Sequence, residues 1–154
     1  MKKKKPATKK GTSAIRNRRA SFDYTLGDSF LVGIVLSGGE TKALRMGHGH
    51  LRGAYATVKN DELWLVNATI TGAPGINLSE DEQVRDRKLL AKRRELDTMV
   101  AAKKQGLTIV PTELLTKTRY IKLRISLGRG KKHYDKREVI KRRDTERANR
   151  REIS

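Results

Sequence analysis

No cysteine occurs among the 154 residues, which removes disulfides, thiolate metal sites, iron–sulfur clusters and cysteine nucleophiles from consideration. No run approaches the ~20 apolar residues of a membrane span, and the opening Met1-Lys-Lys-Lys-Lys5-Pro6 lacks the apolar stretch of a secretion signal. A cytoplasmic protein with no membrane partner is expected. The G-x-x-x-x-G-K-[ST] loop, the dinucleotide fingerprint and the G-x-S-x-G elbow are all missing. Gly128-Arg-Gly130 is too closely spaced to cradle a phosphate as a P-loop does. Acidic residues are also scarce, with 17 Asp plus Glu against 36 Lys plus Arg and a net charge of +19.

That charge is concentrated at the ends. Residues 1–19 carry nine basic and no acidic residues, residues 129–154 carry eleven basic and five acidic, and residues 20–128 have a surplus of only +4. So much charge on a short chain repels itself unless a polyanion neutralises it, which points to nucleic acid. An anionic membrane surface would call for an amphipathic apolar stripe or a lipid anchor, and neither is evident.

The first nineteen residues lack apolar periodicity and are expected to form a mobile basic arm, with order beginning near Ser21. Phe30–Leu36 reads as a buried strand and Glu40–Met46, between Gly39 and Gly47, as a short helix with Lys42 and Arg45 on one face. Leu51–Lys59 and Glu62–Ile70 read as a hairpin turning at Asn60-Asp61, residues that tolerate positive φ. After a loop at Gly72–Leu78, Ser79 and Glu82 form a capping box for a helix expected to reach Gln105, with Leu89, Leu96, Met99 and Val100 near one face.

Gly106 stops that helix, Pro111 marks the next segment as an edge strand or a bulge, and Tyr120–Leu127 alternates. Ile121, Leu123, Ile125 and Leu127 point to a core, and Tyr120, Lys122, Arg124 and Ser126 to water or RNA. Trp64, in an apolar strand, is expected in the core. The expected fold is mainly β, a small antiparallel closed or nearly closed barrel over residues 20–128 with two or three helices, followed by a basic tail at 129–154. That tail has too few apolar residues to cover a core and is expected to become helical only against phosphates.

Catalytic signals are weak. His48 and His50 have no cysteine or third ligand nearby, so they read as loop histidines and no metal is expected. His133, Tyr134 and Asp135 have the right chemistry for acid–base work but lie in a segment with no scaffold to fix them. The expectation is a protein that is not an enzyme, with no catalytic residue, cofactor or small-molecule substrate.

Taken in order, Asn17-Arg-Arg-Ala20, Phe22-Asp-Tyr24, Gly38-Gly-Glu-Thr-Lys-Ala-Leu-Arg45, Leu63-Trp-Leu-Val66-Asn67, Arg87-Lys-Leu-Leu90, Arg94-Glu-Leu96 and Gly130-Lys-Lys-His-Tyr-Asp-Lys-Arg-Glu138 resemble the SsrA-binding protein (small protein B) family. The resemblance covers residues 15–143. It implies an oligonucleotide-binding-type barrel that binds the tRNA-like domain of transfer-messenger RNA and brings it to stalled ribosomes for trans-translation, the tail lying in the decoding centre and mRNA channel among ribosomal RNA.

Folded RNA is recognised by shape, by phosphate and sugar contacts and by stacking, which calls for basic and aromatic groups on a rigid surface. Asn17, Arg19, Tyr24, Lys42 and Arg45 are the candidates for the RNA surface. Lys131, Lys132, Tyr134, Asp135, Lys136, Arg137, Lys141 and Arg142 are those for the ribosome. The chain departs from the family pattern at Leu31, where an acidic residue is usual, at Gly47-His-Gly-His50, where a basic residue and an asparagine are common, and at Ser79-Glu-Asp-Glu82, which replaces His-Asp-Pro. The alternative reading is a general RNA-binding barrel of the ribosome or translation machinery without a rescue role.

Overall fold

The computed structural model describes residues 14–131 and 133–153. Of the stretch expected as an arm, residues 1–13 lie outside this range, whereas residues 14–19 are ordered. Strand β1 (Ala14–Arg16) comes first and helix α1 (Ala20–Asp23) follows. The short apolar pair Ala14-Ile15 accounts for the difference, because Ile15 packs against the core while the backbone finds a strand to pair with.

Strand β2 (Tyr24–Ile34) begins well before Phe30 and accommodates Gly27-Asp28 as an irregularity in its pairing between Leu26 and Ser29. Helix α2 (Gly38–Arg45) starts at a capping box in which the Ser37 hydroxyl accepts from the Glu40 N–H and the Glu40 carboxylate accepts from the Ser37 N–H. The expected hairpin is present but shorter. β3 (Gly49–His50) pairs with β6 (Thr69–Ile70), while β4 (Tyr55–Lys59) pairs with β5 (Glu62–Val66). Asn60 and Asp61, at φ 51° and 60°, make the turn between β4 and β5, and Asn67 at φ 63° breaks the second strand after Val66.

The long helix expected from Ser79 to Gln105 is three elements. The capping box at Ser79 starts α3 (Glu80–Val84), the chain then extends through β7 (Arg87–Leu90), and a second helix α4 (Arg93–Lys104) ends before Gly106 at φ 86°. A continuous helix would leave β2 and β5 without the shared neighbour that β7 provides. Leu89 therefore belongs to a strand, and only Leu96, Met99 and Ala102 form the buried side of α4.

Strands β8 (Thr108–Leu115) and β9 (Lys122–Gly130) complete a mainly β body in which the ladders between the described strands are antiparallel and the strand order β8-β4-β5-β7-β2-β9 returns to β8. The six strands form a closed ring, with β1 attached beside the C-terminal half of β8. Far from being an edge, β8 has neighbours on both sides, and Pro111 sits at a break in register with β9, the bulge that its missing N–H requires. The core inside the ring is built from Leu44, Leu51, Leu65, Ile70, Met99, Ile109, Leu123 and Ile125, each at most 2% exposed. Trp64 is not among them. Strand alternation buries Leu63 and Leu65 and turns Trp64 outward, opposite Thr57 and Lys88.

Two charged groups share this interior. Arg87 is fully buried and donates to the Glu40 carboxylate, to the Ala68 and Arg85 carbonyls, and to the Glu82 and Gln83 carbonyls that end α3. Arg85 reaches the same carboxylate from the surface. Burial pushes the Glu40 carboxyl up, but hydrogen bonds from Arg85, Ser37 and Arg87 and the charge of Arg87 outweigh it, leaving the group below the ordinary carboxylate value. Burial also lowers Arg87, against the pull of Glu40.

Helix α5 runs from His133 to Ile153. No Gly or Pro occurs from Lys131 onward, and Lys, Arg, Glu and Ala are strong helix formers. Five helices thus replace the two or three expected.

Candidate nucleic-acid interface

The N-terminal candidates converge. Asn17 is fixed by its side-chain amide, which donates to the Pro111 carbonyl at 2.9 Å, and by its backbone N–H, which donates to Thr112 at 2.8 Å. Arg19 lies over the Phe22 ring at 5.5 Å and 3.6 Å from the Asp23 carboxylate, with its side chain 54% exposed. Tyr24 starts β2 opposite Gly130. Asn17, Arg19 and Tyr24 line one recess of about 180 Å³, whose far wall includes Tyr55. Tyr55 is 42% exposed and escaped the sequence reading, although alternation with buried Ala56 is the signal that turns it outward. Two tyrosines and an arginine beside a rigid amide suit stacking and phosphate contact.

Lys42 and Arg45 are on α2, apart from the residues lining that recess. Lys42 is exposed. Arg45 is anchored instead, its guanidinium donating to the carbonyls of Thr116 at 2.9 Å, Thr118 at 3.2 Å and Arg119 at 3.1 Å, which shapes the connection between β8 and β9.

A second surface comes from the outer faces of β7, β2 and β9. Leu31 stands opposite Arg124, and Gly33 stands between Lys122 on one side and Leu90 on the other. A Cβ at Gly33 would meet the Leu90 side chain at 3.2 Å, so the glycine makes room for Leu90 to lie over the strand. Leu31 and Leu90 are 43% and 55% exposed. The result is a small apolar patch flanked by Lys122 and Arg124. Leu90 was hidden from sequence reasoning by the assignment of residues 79–105 to one helix, which gave no face to read.

The tail candidates divide. Lys131 is held on the body, its backbone N–H donating to the Asp23 carbonyl at 2.9 Å and its ammonium to the Ser21 carbonyl at 2.8 Å. Lys132 lies outside the described residues. Tyr134, Asp135 and Lys136 lie on the backbone of α5, and their side chains are outside the description. Arg137, Lys141 and Arg142 are exposed on α5. His48 is half-buried and His50 exposed beside the ring, and among the described residues no group of three or more His, Cys, Asp or Glu is placed to hold a metal ion. Among the same residues no helix is long and apolar enough to cross a membrane.

The profile of the family described as SmpB protein matches residues 14–154. An SsrA-binding protein of Oleidesulfovibrio alaskensis is 43% identical over 144 residues, covering 93% of this chain and 93% of that one. One from Coxiella burnetii is 42% identical over 147 residues, covering 94% and 90%. A solved chain from work described as "tmRNA-SmpB: a journey to the center of the bacterial ribosome" superposes with a TM-score of 0.66 at 32% identity, over 84% of this chain and 95% of that one. With a family match across nearly the whole described chain, and relatives above 40% identity aligned over most of both partners, this chain belongs to the SmpB (SsrA-binding protein) family.

Proposed function

We propose that this chain is an RNA-binding adapter that binds the tRNA-like domain of transfer-messenger RNA and delivers it to stalled ribosomes for trans-translation, rescuing the ribosome and tagging the nascent chain. The observation that carries this reading is the division of labour in the structure. A rigid ring presents the Asn17, Arg19 and Tyr24 recess and the Leu31 and Leu90 patch between Lys122 and Arg124, whereas α5 presents Arg137, Lys141 and Arg142 to solvent. The relatives are named for binding SsrA, and the solved neighbour is a tmRNA–SmpB structure at the centre of the bacterial ribosome.

The closed ring serves as an oligonucleotide-binding-type barrel, a scaffold that offers shape and stacking platforms rather than a catalytic centre. The protein works in the cytoplasm, where ribosomes stall. Lys132, Tyr134, Asp135 and Lys136 act with the exposed cations of α5 on ribosomal RNA of the decoding centre and mRNA channel. Residues 14–131 act as the RNA-binding body and residues 132–154 as the ribosome-binding tail.

Removal of residues 132–154 tests the division, keeping the Lys131 contacts to Ser21 and Asp23. The truncated protein should bind the tRNA-like RNA within about twofold of the full chain and fail to support tagging. Full tagging by the truncated protein would overturn the tail's role, whereas failure of the full chain to support tagging would favour a general RNA-binding protein of the translation machinery.

A further inference from the structure

A second concavity of about 390 Å³ opens where two irregularities face each other, the one in β2 between Leu26 and Ser29 and the one in β8 between Pro111 and Glu113. Irregularities of this kind re-aim side chains and recur beside binding sites. On one wall the Glu113 carboxylate is shared by two guanidinium groups, Arg16 at 3.9 Å and Arg124 in direct contact. Glu113 is only 16% exposed, while Arg16 and Arg124 are 75% and 45% exposed, so the cluster turns its surplus positive charge toward the opening. Lining the same cleft, the Ser29 and Ser126 hydroxyls are 2.9 Å apart, Ser126 being 97% buried and Ser29 exposed. One hydroxyl proton satisfies the pair, which leaves a donor and lone pairs for a further partner.

We infer that this cleft takes one ribose-phosphate unit of the bound RNA strand, with Arg16 and Arg124 on the phosphate and the Ser29–Ser126 pair on the ribose 2′-hydroxyl. This rests on the RNA-binding reading and deepens it, since a 2′-hydroxyl contact is the means by which a protein distinguishes RNA from DNA at a single position. The chemistry of the two walls is matched to the unit. Paired guanidinium groups recognise phosphate oxygens bidentately, and a hydroxyl pair both donates to and accepts from a 2′-hydroxyl, which has the same dual character. Glu113 keeps the arginines aligned without neutralising both. The cleft adjoins the Tyr24 recess, with Asn17 and Ala20 in both linings, so a strand crossing the recess has a continuous route into it.

The test is a set of tRNA-like RNAs, each with one 2′-deoxy substitution, titrated against the full chain and against Ser29→Ala and Ser29→Thr at one salt concentration. For the natural chain, one position should lose about fivefold in affinity on deoxy substitution, the scale of one hydrogen bond. Ser29→Ala should bind the all-ribose RNA about fivefold more weakly and be insensitive to that deoxy substitution, and Ser29→Thr, which keeps the hydroxyl, should restore the sensitivity. If the natural chain binds the RNA tightly but no deoxy effect depends on Ser29, the cleft assignment is wrong and RNA binding stands. If the natural chain does not prefer the tRNA-like RNA at all, the adapter reading falls together with the cleft.

Discussion

Residues 20–128 and residues 129–154 are both basic, by +4 and +6, yet they treat charge in opposite ways. In the ring a cation can be a structural part. Arg87 is removed from water and surrounded by one carboxylate and four carbonyls, and Arg45 is bound to three more. On α5 every described side chain is exposed, including Arg137, Lys141, Arg142, Arg143 and Arg147. The lesson is that positive charge here has two separable roles, and only exposure together with partner count distinguishes them. Lys131 marks the border. By position it belongs to the tail, but its bonds to Ser21 and Asp23 make it part of the body.

The same substitution in both regions should break the symmetry most sharply. Arg87→Met leaves the buried Glu40 carboxylate with Arg85 and the Ser37 N–H but without its buried partner, and breaking a buried ion pair costs about 3 kcal/mol or more. At this chain length that lowers the melting temperature by roughly 10 °C. Arg142→Met should change stability by less than about 0.5 kcal/mol. Thermal melts followed by circular dichroism check both, and similar shifts for the two variants would contradict the division.

Acid should act on the ring through the same pair. The Glu40 pKa in the folded protein lies below its ordinary value of 4.5, so its stabilisation is complete above that value and is lost as pH falls through the lowered folded-state pKa. The melting temperature of the natural chain should therefore decline below pH 4.5 more steeply than that of Glu40→Gln, which is less stable at neutral pH but lacks the titrating group. Equal slopes in the two pH profiles would show that other carboxylates dominate.

A smaller effect should come from Ala148→Gly on α5, which lowers local helix stability by about 1 kcal/mol. Helical ellipticity should fall while the ring's melting temperature stays fixed, and amide exchange should accelerate in α5 alone. The smallest stability effect belongs to Leu31→Glu. An exposed strand residue should tolerate the change within about 0.5 kcal/mol, while affinity for the tRNA-like RNA changes measurably because Leu31 sits beside Arg124 on the proposed surface. A large loss of stability with unaltered affinity would move Leu31 into the core.

Much of this was legible in the residues themselves, for local reasons. The capping boxes at Ser37 and Ser79 and the Asn60-Asp61 turn depend on side chains within four positions, and the alternation in β9 reports directly which face is covered. The flanking glycines mark α2 as plainly as the box at Ser79 marks α3. What escaped was non-local. Arg85-Asp-Arg-Lys-Leu-Leu90 has the composition of a helix, and only its pairing with β2 and β5 makes Arg87–Leu90 a strand. Trp64 was misplaced for the opposite reason. Its apolar neighbours suggest a place in the core, although one face of this ring meets solvent.

Of the proposed RNA surface, Asn17, Arg19 and Tyr24 are neighbours in sequence, and they remain neighbours in space. Arg45 lies on the expected helix, but nothing near it in sequence announces its bonds to the carbonyls of Thr116, Thr118 and Arg119. Tyr55 and Leu90 became visible only once the strand boundaries were fixed.

The return of the strand order to β8 also governs how the chain folds. β2 finds its partner in β9, where Ser29 and Ser126 are 97 positions apart, and the registered pairing between β4 and β8 is the single pair Ala56 and Ile109. The hairpin of β4 and β5 can form early and locally, but closure must await the last strand and overcome the entropy of a long loop. During synthesis the edge of β2 therefore stays open until residues 122–130 have left the ribosome. Folding of the body and emergence of the tail are nearly simultaneous events.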